Sequence, residues 1–92
     1  MSERDGNVRH VKDPRFGSHF DELPKRVQKL ADKNFQLLKQ DLRHPSLHFK
    51  CVRDDMWSAR VGRKHRTLAI RDGNIIQWFW IGPHAEYDKL IK

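Results

Sequence analysis

Hydrophobic positions along this chain change period once, close to residue 46. Before that point they recur at helical spacing. Asp13-Pro14 offers a cap followed by a proline at the first helical position, so a short helix is expected to about Asp21, with Phe16 and Phe20 at i,i+4. Glu22-Leu23-Pro24 repeats the start signal for a longer helix, Pro24 to Gln40. Its apolar stripe is Val27, Leu30, Ala31, Phe35, Leu38 and Leu42, with Leu37 beside it and Lys25, Arg26, Lys29, Lys33 and Lys39 outside it. His44-Pro45 ends that helix, because the residue before a proline avoids the α region. Ahead of both helices, Asn7 to Lys12 is expected to form a short strand anchored by Val8 and Val11.

From Ser46 onward the period is two. Leu47, Phe49 and Cys51 alternate with His48 and Lys50, which predicts a first long strand with Cys51 as a small buried hydrophobe. Trp57, Ala59 and Val61 then alternate with Ser58 and Arg60. Asp54-Asp55 and Gly62-Arg63-Lys64 supply turns. Arg66 to Arg71 meets Ile75 to Ile81 across Asp72-Gly73-Asn74, a hairpin signal because such loops need positive φ. The last strand, I-I-Q-W-F-W-I, is apolar on both faces and should lie inside the sheet. Trp78, Phe79 and Trp80 therefore read as core and not as a base-stacking platform.

The order is β-α-α-β-β-β-β with a C-terminal helical turn. That predicts an α+β fold: a twisted antiparallel sheet with an α-helical hairpin packed on one face. Its 92 residues suit one domain, taken as residues 7–92 behind a disordered N-terminus, residues 1–6.

Composition adds a partner class. The formal charge is +7, and the excess is uneven. From Arg43 to Arg71 the cations are Arg43, Lys50, Arg53, Arg60, Arg63, Lys64, Arg66 and Arg71, against only Asp54 and Asp55. Clustered cations beside aromatics favour a phosphate-rich polymer. Cys51 is the single cysteine, which excludes an internal disulfide and fits a reducing compartment. There is no long apolar run, and M-S-E-R-D-G-N lacks the apolar centre of a signal peptide, so a cytoplasmic protein without membrane contact is expected. His44 and His48 have the i,i+4 spacing of a helical zinc pair. Pro45 between them breaks that helix, so no metal or other cofactor is expected.

Four segments in order carry a resemblance: the helix end R-H-P-S-L-H-F-K, the strand W-S-A-R-V-G, the turn and strand K-H-R-T-L-A-I, and the closing strand W-F-W-I-G-P-H-A-E-Y. Over roughly residues 8–91 the chain resembles the RelE/ParE superfamily of bacterial type II toxin–antitoxin toxins. The histidine after Gly-x at the end of the last strand looks most like the YafQ and HigB branches. The resemblance implies a compact ribonuclease that enters the ribosomal A site and cuts mRNA, held inactive by a cognate antitoxin. It also implies operator DNA binding by the toxin–antitoxin complex only. The ParE branch instead poisons DNA gyrase and cuts nothing.

Metal-free RNA cleavage needs a base for the 2′-hydroxyl proton, an acid for the leaving 5′-oxygen, and cations for the charge growing on phosphorus. Arg60 and Arg66 fall on adjacent predicted strands where two guanidiniums could grip one phosphate. Arg66 matches the superfamily's phosphate-binding arginine. Arg60 and Ser58 stand where RelE itself carries catalytic lysines, so any cleavage here does not use that lysine set. His84 aligns with the Gly-x-His histidine and is the candidate general acid or base. Tyr87, one turn later, could stack on a base or orient the phosphate, or simply cap the core. His48, Lys50 and His65 are candidates for substrate contact, and Arg63 and Lys64 at the hairpin tip for backbone phosphate contact. Two other readings stay open: a non-enzymatic ParE-like gyrase inhibitor, and a catalytically degenerate antitoxin-binding module.

Overall fold

The computed structural model describes residues 8–92; the expected N-terminal disorder, residues 1–6, and the start of the first strand at Asn7 lie outside them. The elements are β1 (Arg9–Lys12), α1 (Pro14–Asp21), α2 (Lys25–Gln40), a 3₁₀ turn (Pro45–Leu47), β2 (Lys50–Arg53), β3 (Met56–Val61), β4 (His65–Asp72), β5 (Ile75–Pro83) and α3 (His84–Leu90).

Local chemistry accounts for these boundaries. The Asp13 carboxylate accepts from the Arg15 backbone N–H at 2.8 Å, capping α1, and Pro14 takes the first helical position. Phe16 and Phe20 stack with ring centres 6.2 Å apart. On α2 the stripe Val27, Ala31, Asn34, Phe35 and Leu38 is buried. Leu30 departs from expectation: it is 38% exposed, because it sits at the margin of the stripe over the β3–β4 turn. A Cβ added at Gly62 there would stand 2.8 Å from Leu30 Cδ2, and Gly62 has φ +64°, so this turn requires glycine.

One sheet holds all five strands in the order β1-β5-β4-β3-β2. β2 to β5 are antiparallel, but β1 runs parallel to β5, with Arg9 opposite Ile75 and Lys12 opposite Trp78. No turn joins β1 to its partner, so no hairpin fixes its direction; this edge is where the all-antiparallel expectation fails. β5 lies inside the sheet, as its apolar run requires. The register shifts between Leu68, opposite Trp80, and Ala69, opposite Trp78, so Phe79 is the extra residue of a bulge. The bulge lets the two tryptophans serve opposite faces. Trp78 meets Phe35 edge-on at 5.2 Å beneath α2, while Trp80 packs with Leu68 and Tyr87 on the other side.

The first long strand is shorter than its alternation predicts. His44 caps a 3₁₀ turn through Nδ1, which accepts from the Ser46 N–H at 3.3 Å, and Leu47 is fully buried from that turn. His48 then takes a left-handed conformation, φ 47°, breaking the extended phase, and the strand starts only at Lys50. Cys51 is therefore exposed at the sheet edge and not buried; its thiol reaches the Asp54 carbonyl at 3.1 Å.

Candidate functional site

The helices α1 and α2 cover one face of the sheet. On the other face α3 covers only part, and beside it opens a cleft of about 490 Å³. Strand alternation decides what faces it. On β3, Ala59 and Val61 enter the core, while Ser58 and Arg60 face the cleft; on β4, Arg66 does so. The β3–β4 register places Arg60 directly opposite Arg66, because the turn at Gly62 closes that hairpin.

Six of the candidate residues line this cleft together: His48, Lys50, Arg60, Arg66, His84 and Tyr87. Three do not. Arg63 and Lys64 are exposed at the β3–β4 turn, outside the cleft. His65 is half-buried and lines a separate cavity of about 220 Å³ with His19, Glu22, Pro83 and Glu86. Burial, then the Arg66 and Lys64 charges, hold its imidazole below the ordinary value of 6.5.

Among the described residues neither arginine forms an ion pair with a carboxylate. Arg66 Nη1 donates to the His65 carbonyl at 2.8 Å. Burial and then Arg60 pull its pKa below the usual arginine value, against an opposing effect of Tyr87 and Asp88. Arg60 Nη1 lies 3.3 Å from His48 Nε2, and a guanidinium only donates, so the imidazole nitrogen accepts. Arg60 Nε is buried with no hydrogen-bond partner among the described residues. Two like charges opposite each other on a ladder, one with an orphaned buried donor, make a ready anion site.

His84 is the first residue of α3, its backbone N–H bonded to the Lys64 carbonyl at 2.7 Å. Its Nδ1 lies 3.2 Å from Asp88 Oδ2, one turn on. That contact holds the imidazole by Nδ1, and among the described residues Nε2 makes no hydrogen bond. Tyr87 is buried over Leu68 and Trp80, and its hydroxyl meets Ser58 Oγ at 2.9 Å, so it serves both core and cleft. Sequence reading passed over Asp88 and the Ser58–Tyr87 pair. The i,i+4 spacing of His84 and Asp88 was a visible signal; the other contact joins residues 29 apart and had none.

Among the described residues, no group of three or more His, Cys, Asp or Glu side chains is placed to hold a metal ion. No helix among them is long and apolar enough to cross a membrane.

Solved structures share this architecture. YafQ from E. coli strain BL21(DE3) superposes with a TM-score of 0.66 at 14% identity, over 87% of this chain and 97% of that one. The chain has the RelE-like fold. The archaeal RelE in its complex with RelB, from Pyrococcus horikoshii OT3, gives 0.62 at 15% identity, covering 84% and 94%. YoeB from Staphylococcus aureus, solved as a dimer, gives 0.55 at 16%, covering 85% and 98%. No protein-family profile and no curated protein matches the sequence. In this cleft Ser58 is buried against Tyr87, and facing cations come from Arg60 and Arg66.

Proposed function

We propose that the chain is the toxin of a type II toxin–antitoxin pair and acts as a ribosome-dependent mRNA endonuclease. The observation that carries this reading is the facing pair Arg60 and Arg66, with His48 and His84 lining the same cleft. In the proposed reaction the 2′-hydroxyl attacks the adjacent phosphorus as its proton passes to a base. The bond from phosphorus to the 5′-oxygen breaks as that oxygen receives a proton, leaving a 2′,3′-cyclic phosphate and a 5′-hydroxyl. Arg60 and Arg66 stabilise the charged phosphorane, at the position where their own repulsion is relieved by an anion. His84 moves a proton through Nε2, and Tyr87 orients the phosphate. Lys50 meets the flanking backbone. His48, whose Nε2 accepts from Arg60, orients that guanidinium and contacts substrate.

The cleft has no resident metal or cofactor in this scheme. Its partners are the ribosome with mRNA, and an antitoxin whose acidic segment fills the basic cleft; operator DNA is bound only by the complex. The RelE neighbour was solved with RelB, which supports the antitoxin partnership. A gyrase inhibitor would share the fold and the charge, but has no need for two arginines and a histidine around one point.

The test is cleavage of a defined mRNA with and without programmed 70S ribosomes, mapped by primer extension. Cuts at fixed A-site positions only with ribosomes are expected. No cuts by a folded protein would overturn the nuclease and turn attention to gyrase supercoiling assays.

A further inference from the structure

We infer that a second nucleic-acid surface lies on the helical side of the molecule, formed by α2 and the tip of the β3–β4 hairpin, and that it takes the phosphate backbone of double-helical RNA. The inference goes beyond the cleft and does not depend on its chemistry.

α2 breaks two rules of helix electrostatics at once. Its first turn contains no acidic residue and starts with Lys25 and Arg26, cations at the positive end of the helix dipole, and no side chain caps it. Lys25, Lys29 and Lys33 then follow at i,i+4, where like charges destabilise a helix. Asp32 is the only acidic residue within the helix. Each choice costs stability, and acidic neighbours are few: Asp21 and Glu22 just ahead of the helix and Asp32 within it. Among the described residues none of these four cations forms an ion pair. A rule broken repeatedly along one face points to use of that face.

The fold adds to the patch. Gly62 packs on Leu30 in the middle of α2, and the Asn34 side-chain amide donates to the Arg60 carbonyl at 3.1 Å, so the hairpin end is fastened against this helix. Arg63 and Lys64, the two candidates that the cleft leaves out, are thereby set beside the α2 row, exposed and also without ion pairs.

The chemistry of the patch selects its ligand. From Lys25 to Lys33 the row spans about 12 Å at the helical rise, suited to several phosphates in a line and not to a single anion. It presents no aromatic ring for stacking unpaired bases, which argues for backbone contact with a duplex. Leu30 is its one exposed apolar side chain, too little to insert into a bilayer.

Fluorescence anisotropy with a blunt-ended 16-base-pair RNA, between about 50 and 200 mM salt, tests the idea. The variant Arg26→Gln/Lys29→Gln/Lys33→Gln/Arg63→Gln, checked for fold by circular dichroism, should bind at least about 10-fold more weakly and flatten the log–log salt slope by about 4. A Lys29→Arg/Lys33→Arg control should bind as wild type does. Unchanged affinity and slope in the fourfold variant would overturn the inference. So would an equal loss in Arg60→Gln/Arg66→Gln, which would give the duplex to the cleft, or wild-type binding to phosphatidylserine vesicles but not to RNA. If the wild type cuts no mRNA yet loses duplex binding through the α2 cations, the proposed function falls and this surface stands.

Discussion

The two faces of this sheet are built from the same strands and obey opposite rules. On the side under α1 and α2, Phe16, Ala31, Leu38, Ile76 and Trp78 are each 2% exposed or less, and the buried Thr67 hydroxyl finds the Ala59 carbonyl at 3.3 Å. Polar groups there are few, and the Asn34 amide and Thr67 hydroxyl both donate to backbone carbonyls. On the side toward α3, two guanidiniums oppose each other, one buried N–H has no partner, and the cleft's carboxylate, Asp88, is engaged with His84. The first face is complete in itself. In the proposed reading the second is completed by an anion from outside, which is how a binding site differs from a core. Because side chains alternate along a strand, β3 writes both faces in six residues.

The largest effects should separate the faces by what is lost. Trp78→Ala removes a fully buried ring from the helical side and should cost about 3–5 kcal/mol, a large share of the 5–15 kcal/mol that holds a small domain. His84→Ala should instead lower RNA cleavage by about 10²–10⁴. Its urea midpoint, followed by circular dichroism, should stay near that of the wild type. A His84→Ala protein as unstable as Trp78→Ala would erase the distinction between core and site.

A smaller effect has the opposite sign. Arg60→Met keeps the apolar stem, removes the repulsion across β3 and β4, and deletes the orphaned buried donor. Stability should rise by about 1 kcal/mol while cleavage falls. Thermal unfolding and the ribosome assay on the same sample check both halves. Loss of stability would mean that Arg60 holds the fold together through contacts other than an anion.

How much of this was legible depends on how local each cause is. α1 was readable to the residue because Asp13-Pro14 is both cap and start, and the β4–β5 hairpin because Gly73 adopts φ +59° where the sequence places Asp-Gly. The Arg60–Arg66 meeting followed from one turn at Gly62. What failed was set at a distance or by competition. Period-two alternation through Leu47 lost to the cap that His44 provides, which moved His48 off the strand yet still brought it to Arg60. The direction of β1 comes from a partner more than sixty residues away. Cys51 looked interior because its neighbours alternate, but β2 is an edge, where one face has nothing above it. Tyr87 could be weighed as core or site from sequence; Ser58 beneath it makes it both.

The smallest effect concerns the residue that borders both environments. His65, the first residue of β4, pairs with Pro83, and its carbonyl holds Arg66 while the residue lines the cavity shared with His19, Glu22 and Glu86. Folding depresses its pKa, chiefly by burial and then through Arg66 and Lys64. Above the unfolded value of 6.5 the ring is neutral in both states and contributes no pH dependence. As the pH falls below that value the unfolded chain takes up a proton that the folded chain still resists, so stability declines until the folded-state pKa is passed. In His65→Gln the side chain cannot titrate, while the carbonyl that binds Arg66 is kept. The urea midpoint of the wild type should therefore drop more steeply than the variant's between about pH 7 and 5. Parallel curves would mean that the cavity already carries enough negative charge from Glu22 and Glu86 to cancel the burial of His65.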